Sequence, residues 1–298
     1  RAVTPSTLHA TTHAPRSTPV AARSRGRLLV VEDNAINQEV AKGMVAKLGY
    51  ACDVAADGIE ALDALERRRY DAVLMDCHMP RMDGYQATAE IRRREAGRHH
   101  VPILALTASA LVEDREKCMA AGMDDYLAKP VKHRELEDML NRWLSGADAT
   151  SERADAGASP PPAVSDGVLE MVQFDSLREV AAGSGEPAFL SRLVDRFLDG
   201  ASSRLAELQE AARRGDPASL EEAAHSLKGT SATMGATVLS SMCAALEAAA
   251  GRGEVAESEA LEQVSVELER AAAALRTYVP EDGRAEENRA PGSDDTRG

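Results

Sequence analysis

The sequence is poor in aromatic residues and carries no excess of positive charge. Aromatic side chains make up 3% of the 298 residues, so aliphatic residues and methionine must fill its cores. Acidic residues outnumber basic ones by 49 to 35, which gives a formal net charge of −14, and no basic stripe with interleaved aromatics is visible. Because affinity for nucleic acid relies on Lys and Arg releasing counterions from phosphates, we expect no nucleic-acid partner.

Cysteines and long apolar segments are also scarce. The 4 cysteines lack C-x-x-C spacing, which favours neither a structural zinc site nor a disulfide framework and fits a reducing, cytoplasmic setting. No run approaches the roughly twenty apolar residues needed to cross a bilayer, and the N-terminus has no apolar core of a signal peptide. We therefore expect no direct membrane contact for this chain.

Residues 27–145 alternate short apolar runs with longer helical patterns. Continuously apolar runs are typical of parallel strands buried on both faces, and two less apolar strands suit the edges of a sheet. The pattern predicts five βα units in a doubly wound, five-stranded parallel α/β sheet of the flavodoxin-like kind. The predicted strands are 28–31, 51–55, 72–75, 103–106 and 124–127, and the predicted helices are 35–48, 58–67, 84–95, 111–120 and 132–144.

Residues 170–280 are predicted to form an all-α domain. Apolar residues recur at helical spacing from Phe189 to Leu208, and Asp216 followed by Pro217 is a favourable helix start. With further helices near 217–232, 235–250 and 257–279, the segment should close an antiparallel four-helix bundle. An N-terminal segment 1–26 and a tail 281–298 are predicted to be disordered, and the Ala-, Ser- and Pro-rich segment 146–169, which contains Pro160–Pro162, is predicted to be a flexible linker.

Charged and polar side chains follow the predicted strands. Glu32 and Asp33 end the first strand, Asp76 the third and Thr107 the fourth, while Lys129 follows the fifth. Because carboxyl ends of parallel strands meet at one rim, these side chains should converge. Carboxylates so placed repel one another, by about 4 kcal/mol per pair at 4 Å and an effective dielectric near 20, so Mg²⁺ and an ammonium group are expected among them. Asp76 could then attack phosphorus as a carboxylate nucleophile.

The segment HSLKGTSATMGA, which begins at His225, is the other informative stretch. Its helical spacing places His225, Lys228 and Gly229 on the side opposite the apolar stripe. An exposed imidazole is mainly neutral at pH 7 and keeps a nitrogen that can attack phosphorus, while the lysine would attract phosphoryl oxygens. Gly229 is a poor helix former, so we expect it to give clearance to a partner. The apolar stripe consists of Leu220, Ala224, Leu227, Ser231 and Met234.

Each of these features has a purely structural interpretation when it is taken alone. An acidic pair after a strand is more often a helix cap than a metal site. Asp76 alone would be a turn residue, Lys129 a solvated charge and His225 a surface histidine. Their joint occurrence, in order and at strand ends, favours a functional interpretation.

The first module resembles the response-regulator receiver family across about residues 27–145. The matching text is LLVVEDNAINQEV, then DAVLMDCHMPRMDG, then PILALTAS, then DDYLAKPV. The resemblance implies that Asp76 is phosphorylated. It also implies that Glu32, Asp33 and Asp76 bind Mg²⁺ together with the backbone carbonyl of His78.

The same resemblance implies a conformational switch. The Thr107 hydroxyl would meet the phosphoryl group, and Lys129 would pair with it. The peptide between Lys129 and Pro130 would be cis. Tyr126 occupies the position of the switch aromatic, whose motion would be coupled to Thr107.

The second module resembles the histidine-phosphotransfer (HPt) domain over roughly 170–280, through the motif H-x-x-K-G. The resemblance implies that His225 carries the phosphoryl group, with Lys228 and Gly229 in supporting roles. A receiver followed by an HPt domain is found at the C-terminus of hybrid sensor histidine kinases. We therefore expect a phosphorelay from a sensor histidine kinase, in cis or in trans, through Asp76 and His225 to a separate response regulator.

No ATP-binding glycine boxes are visible, so we do not expect the chain to autophosphorylate from ATP. It begins with Arg1 and not Met, which suggests either the C-terminal part of a membrane-anchored hybrid kinase or a free-standing protein of the same two modules. Two alternatives remain open. The modules could act as allosteric and docking units without transfer, or the first could be an aspartyl-phosphate hydrolase, although that class has an acid at the position of His78.

Overall fold

The computed structural model describes residues 24–97, 100–107, 112–144, 169–184 and 188–279. Most of the N-terminal segment, most of the linker and the whole tail predicted above lie outside the described residues. Within these ranges, no helix has both the length and the apolar character needed to cross a membrane.

The first module is the predicted parallel α/β sheet. The strands are β1 Arg27–Val31, β2 Ala51–Ala55, β3 Ala72–Asp76, β4 Ile103–Thr107 and β5 Asp125–Ala128. They lie in the order β2-β1-β3-β4-β5, so the two less apolar strands form the edges. The helices are α1 Ala35–Lys47, α2 Gly58–Arg67, α3 Gly84–Glu95, α4 Val112–Ala121 and α5 His133–Leu144.

Strand register brings the ends of four strands to one rim. Val31 of β1 pairs with Met75 of β3, so the next residue of each chain segment lies at the same rim. Asp76 pairs with Leu106 of β4, which places the end of β4 beside it. Thr107 pairs with Ala128 of β5, so Lys129 follows at the same edge.

Local side-chain chemistry explains where the elements begin. Asn34 and Asp57 cap α1 and α2 by accepting hydrogen bonds from backbone amides, and Asp83 forms a capping box with Gln86 at the start of α3. The sequence placed β5 one residue early. Asp124 instead accepts hydrogen bonds from the backbone amide of Ile103 and from Arg92, so it belongs to the preceding turn.

The second module is all-α, as predicted. Helices α7 Phe189–Arg214, α8 Pro217–Thr233, α9 Thr237–Gly251 and α10 Ser258–Tyr278 pack into the bundle. Helix α9 begins two residues later than predicted because Gly235 has a φ of 78°, which breaks the helical path. A further helix that the sequence analysis did not separate, α6 Met171–Ser184, precedes the bundle.

Helix α6 connects the two modules. It packs on α7 of the bundle and on α1 of the first module. As a result, the apolar cluster on one face of the sheet continues without a break into the bundle, from Met44 through Val180 to Phe197. A second cluster fills the other face of the sheet. The continuous core holds the strand-end rim against the bundle.

Candidate functional site

Three carboxylates meet where β1 and β3 end. Glu32, Asp33 and Asp76 each offer one oxygen, and these oxygens all lie within 4.8 Å of one another. Glu32 and Asp76 are buried, whereas Asp33 is exposed. The rim therefore has two sheltered acids and one that opens to solvent.

Lys129 lies between the two buried acids. Its Nζ is 2.7 Å from Oε2 of Glu32 and 2.7 Å from Oδ2 of Asp76. Burial alone would lower the pKa of Lys129, but the two carboxylates outweigh it and raise that pKa above its usual value. Burial also raises the pKa of Glu32, to about 7, although Lys129 acts in the opposite direction. One ammonium thus faces three acids, and the rim keeps an excess of negative charge.

The loop after Asp76 is held close to that residue. The backbone amide of His78 donates to Oδ1 of Asp76 at 3.2 Å. Helix α3 begins at Gly84, where an added Cβ would collide with the carbonyl oxygen of Asp76. Arg81 pairs with the buried carboxylate of Asp57 and so fastens the loop to α2. The absence of a side chain at Gly84 lets α3 start against the rim.

Thr107 and Lys129 complete the rim on the side of β4 and β5. Thr107 is buried, and its carbonyl accepts a 2.7 Å hydrogen bond from the backbone amide of Lys129. The peptide between Lys129 and Pro130 is cis. Tyr126 lies on β5, partly buried, with the guanidinium of Arg115 5.7 Å from its ring centroid.

His225 lies on α8, on the side of the helix that faces the rim. Its side chain is 31% exposed, less than a fully outward imidazole would be. Nδ1 is 2.6 Å from Oε1 of Glu247 on α9, and Nζ of Lys228 is 2.5 Å from Oε2 of the same carboxylate. Because a carboxylate oxygen only accepts, this contact places a hydrogen on Nδ1 and leaves Nε2 as the ring nitrogen with an available lone pair.

Glu247 is a site residue that no sequence motif predicted. Burial would raise the pKa of this carboxyl, but hydrogen bonds from His225 and Lys228 outweigh burial and lower it to about 2. The carboxylate is therefore charged throughout the physiological range. The available signal was that Glu247 is the sole charged residue of the Ala-rich helix α9.

The rim and the imidazole line a single cavity of about 810 Å³. On one side are the three acids and Lys129, and on the other His225 and Lys228. The ring centroids of His78 and His225 are 5.2 Å apart across the cavity. Residues that the sequence placed in two separate modules therefore share one space.

Comparison with known families assigns both modules. Residues 28–141 match the family model of the response regulator receiver domain, and residues 192–278 match that of the Hpt domain. Residues 28–141 are therefore a receiver domain and residues 192–278 an Hpt domain, and this combination supports phosphorelay signalling.

Relatives of the chain are histidine kinases. Sensor histidine kinase GacS of Pseudomonas protegens is 29% identical over 259 residues, which are 84% of this chain and 27% of that protein. Probable histidine kinase 1 of Oryza sativa subsp. indica is 38% identical over 151 residues, 41% of this chain and 16% of that protein. The chain thus spans about a quarter or less of the length of these curated relatives.

A solved structure resembles the first domain. It is the receiver domain of a sensor histidine kinase from Pseudomonas aeruginosa PAO1, with a magnesium ion coordinated in its active site cleft. The sequences are 56% identical, the match covers 40% of this chain and 98% of that chain, and the TM-score is 0.38.

One amide links the receiver rim to the Hpt domain. Nδ2 of Asn37 donates to Oε1 of Glu32 at 2.8 Å, and Oδ1 of Asn37 lies 2.8 Å from the hydroxyl of Thr233 on α8. A Cβ at Gly229 would come no closer than 4.0 Å to Nδ2 of Asn37. The space at Gly229 therefore accepts a methyl group, while a longer side chain would meet the receiver.

Proposed function

We propose that Asp76 accepts a phosphoryl group from a sensor histidine kinase and passes it to His225, which delivers it to a separate response regulator. The observation that carries this proposal is the cavity in which the rim and the imidazole face each other. Two acceptors on different domains need such a shared space, because phosphoryl transfer requires both to reach one phosphorus atom.

The donor set of the rim fits a magnesium ion. Three carboxylate oxygens lie within 4.8 Å of one another, and hard oxygen ligands of this kind suit Mg²⁺. Glu32, Asp33, Asp76 and the backbone carbonyl of His78 would hold the ion. When bound, it would offset negative charge on the phosphoryl oxygens.

The residues of the receiver prepare Asp76 for attack. Its carboxylate oxygen forms the bond to phosphorus, and the donor nitrogen leaves with its electron pair, which yields an acyl phosphate. The ammonium of Lys129, which contacts Asp76, offsets charge on the transferring group. We propose that Thr107 moves toward the phosphoryl group and binds its oxygens through the hydroxyl. We also propose that Tyr126 moves together with Thr107, since the two residues lie on the paired strands β4 and β5.

Transfer to the Hpt domain forms one bond and breaks one. Nε2 of His225 attacks phosphorus, and the bond to the Asp76 oxygen breaks with its electron pair returning to the carboxylate. The imidazole gains positive charge as it attacks, and the carboxylate of Glu247 against Nδ1 stabilises that charge. Lys228, held by the same carboxylate, lines the same cavity and would attract the phosphoryl oxygens.

The test follows the chemical stability of the label. Purified chain is incubated with a phosphorylated kinase core and Mg²⁺. Label that survives acid but not base is an acyl phosphate, and label that survives base but not acid is a phosphohistidine. We expect both in the parent, neither in Asp76→Asn, and only the acyl phosphate in His225→Gln.

The control is His100→Gln, which removes an imidazole that is 57% exposed and lies outside the cavity lining. It should behave like the parent. Base-stable label on Asp76→Asn at the parental rate would contradict the order of the relay. Phosphorylation of Asp76 without any base-stable label in the parent would instead support docking without transfer.

A further inference from the structure

Helix α1 contains a glycine that the receiver itself does not require. Gly43 lies inside the helix, where glycine is a poor helix former. An added Cβ would collide with Cγ1 of Val180, and its next neighbour would be Cζ of Phe189 at 3.7 Å. Val180 lies in α6 and Phe189 is the first residue of α7. The three atoms nearest to this position therefore belong to the all-α module and not to the receiver.

Val180 cannot easily move away. Its side chain is fully buried, on helix α6, and β-branched side chains have few rotamers. Helix α6 lies before the residues 192–278 that match the Hpt model. Val180 thus packs directly against the backbone of Gly43, in the space that a side chain at this position would occupy.

Ion pairs flank this steric contact. Lys47 of α1 is 3.0 Å from Glu179 of α6, and Glu39 of α1 pairs with Arg196 of α7. Exposed pairs of this kind contribute little affinity, but they disfavour partners with the wrong charges. The close packing at Gly43 and the ion pairs on either side of it therefore both favour docking of this receiver on its own helical module.

We propose that Gly43 is a specificity-determining residue, by which this receiver recognises its own Hpt domain through Val180 of α6. This inference rests on the relay proposed above. It adds that a receiver with a side chain at the position of Gly43 cannot dock in the same way against α6. It also adds that the docked receiver excludes other receivers from His225, because it occupies the space in front of the imidazole.

The first experiment measures transfer inside the full chain. Asp76 is loaded with acetyl phosphate and Mg²⁺, so that no donor protein has to dock on α1. Base-stable label on His225 is then followed with time. Gly43→Ala should slow its appearance about tenfold and Gly43→Leu still more, because overpacking separates the domains. Loading of Asp76 should stay at the parental rate, which shows that the receiver is folded.

Two further variants separate recognition from general damage. In the Gly43→Ala chain, Val180→Ala removes the colliding atoms and should return the rate to within about threefold of the parent. Gly200→Ala makes the same chemical change inside α7, where an added Cβ would meet nothing within 4 Å, and should leave transfer unchanged. Parental transfer in both Gly43 variants, or no recovery with Val180→Ala, overturns the proposal.

The second experiment tests exclusion between chains. The donor carries Asp76→Asn and is loaded at His225 with phosphoramidate, and the acceptor is a full chain carrying His225→Gln. Adding Gly43→Leu to the donor alone should speed transfer to the acceptor about threefold or more, because the donor's own receiver no longer competes at high local concentration. An unchanged or slower rate contradicts exclusion. If the parent never labels His225, the relay itself fails, which is a different result.

Discussion

The imidazole of His78 lies 5.2 Å from that of His225, centroid to centroid, across the boundary between the two domains. His78 is two residues beyond Asp76, so this contact places His225, the proposed phosphate carrier, beside the loop that follows the proposed acceptor. Side chains around this contact should therefore affect the proposed transfer.

Lys129→Met should destabilise the receiver when Mg²⁺ is absent. The substitution leaves Glu32 and Asp76 buried without their cation, and removing one partner of a buried pair costs about 3 kcal/mol. Saturating Mg²⁺ should stabilise this variant more than it stabilises the parent. Urea unfolding with and without Mg²⁺ measures both effects.

Lys132→Met is the matched control for that substitution. Lys132 pairs with Glu135 at 3.2 Å, but both side chains are largely exposed, so its loss should change stability by less than about 0.5 kcal/mol. A Lys129→Met chain as stable as the parent without Mg²⁺ would show that the lysine does not neutralise the rim.

Glu247 should make the bundle sensitive to acid. Its folded-state pKa of about 2 lies below the usual 4.5, so its contribution is fully present above about pH 4.5 and is lost as the pH falls toward 2. The shift corresponds to at most about 3 kcal/mol. Glu247→Gln should therefore be less stable than the parent at pH 6, and this difference should shrink at lower pH. Urea unfolding across this range detects it, and a difference that does not change with pH would refute it.

Gly84→Ala should impair phosphorylation of Asp76. The new Cβ would collide with the carbonyl oxygen of Asp76, so the end of β3 or the start of α3 must shift. We expect a loss of about 2 kcal/mol in unfolding free energy and slower labelling of Asp76 by acetyl phosphate. Gly200→Ala, where the added methyl meets open space in α7, should instead gain up to about 1 kcal/mol. Equal effects of the two substitutions would contradict the close approach.

Asn37 and Thr233 should be energetically coupled. Their 2.8 Å contact joins the rim to α8, so Asn37→Ala and Thr233→Val should each slow transfer from Asp76 to His225. The double variant should be faster than the product of the single effects predicts, by an interaction of about 1 kcal/mol. Substitutions of Arg252 and Glu254, an exposed ion pair outside the cavity lining, should leave transfer unchanged both singly and together. Additivity at Asn37 and Thr233 as well would show that the hydrogen bond does not hold the domains together.

Patterns within the chain predicted each fold but not every residue of the site. Apolar runs and helical spacing located all five strands and nine of the helices described, because burial on a sheet or a bundle leaves a periodic trace. Turn chemistry shifted some ends, as at Asp124 and Gly235, where a side-chain hydrogen bond and a positive φ decided the boundary. Helix α6 was not predicted, although Phe174, Leu177 and Val180 recur at helical spacing, because it directly follows the segment that was assigned to the linker.

The sequence by itself predicted the two proposed acceptors, because strand-end acids such as Asp76 and the motif around His225 are local patterns that follow from each fold. Only the tertiary structure decided their setting. The contact of Glu247 with His225, the collision that Val180 imposes on Gly43 and the joining of two sites in one cavity all depend on helices that are distant in the chain. Such contacts are set by how whole surfaces pack, and packing leaves no periodic signal in either partner.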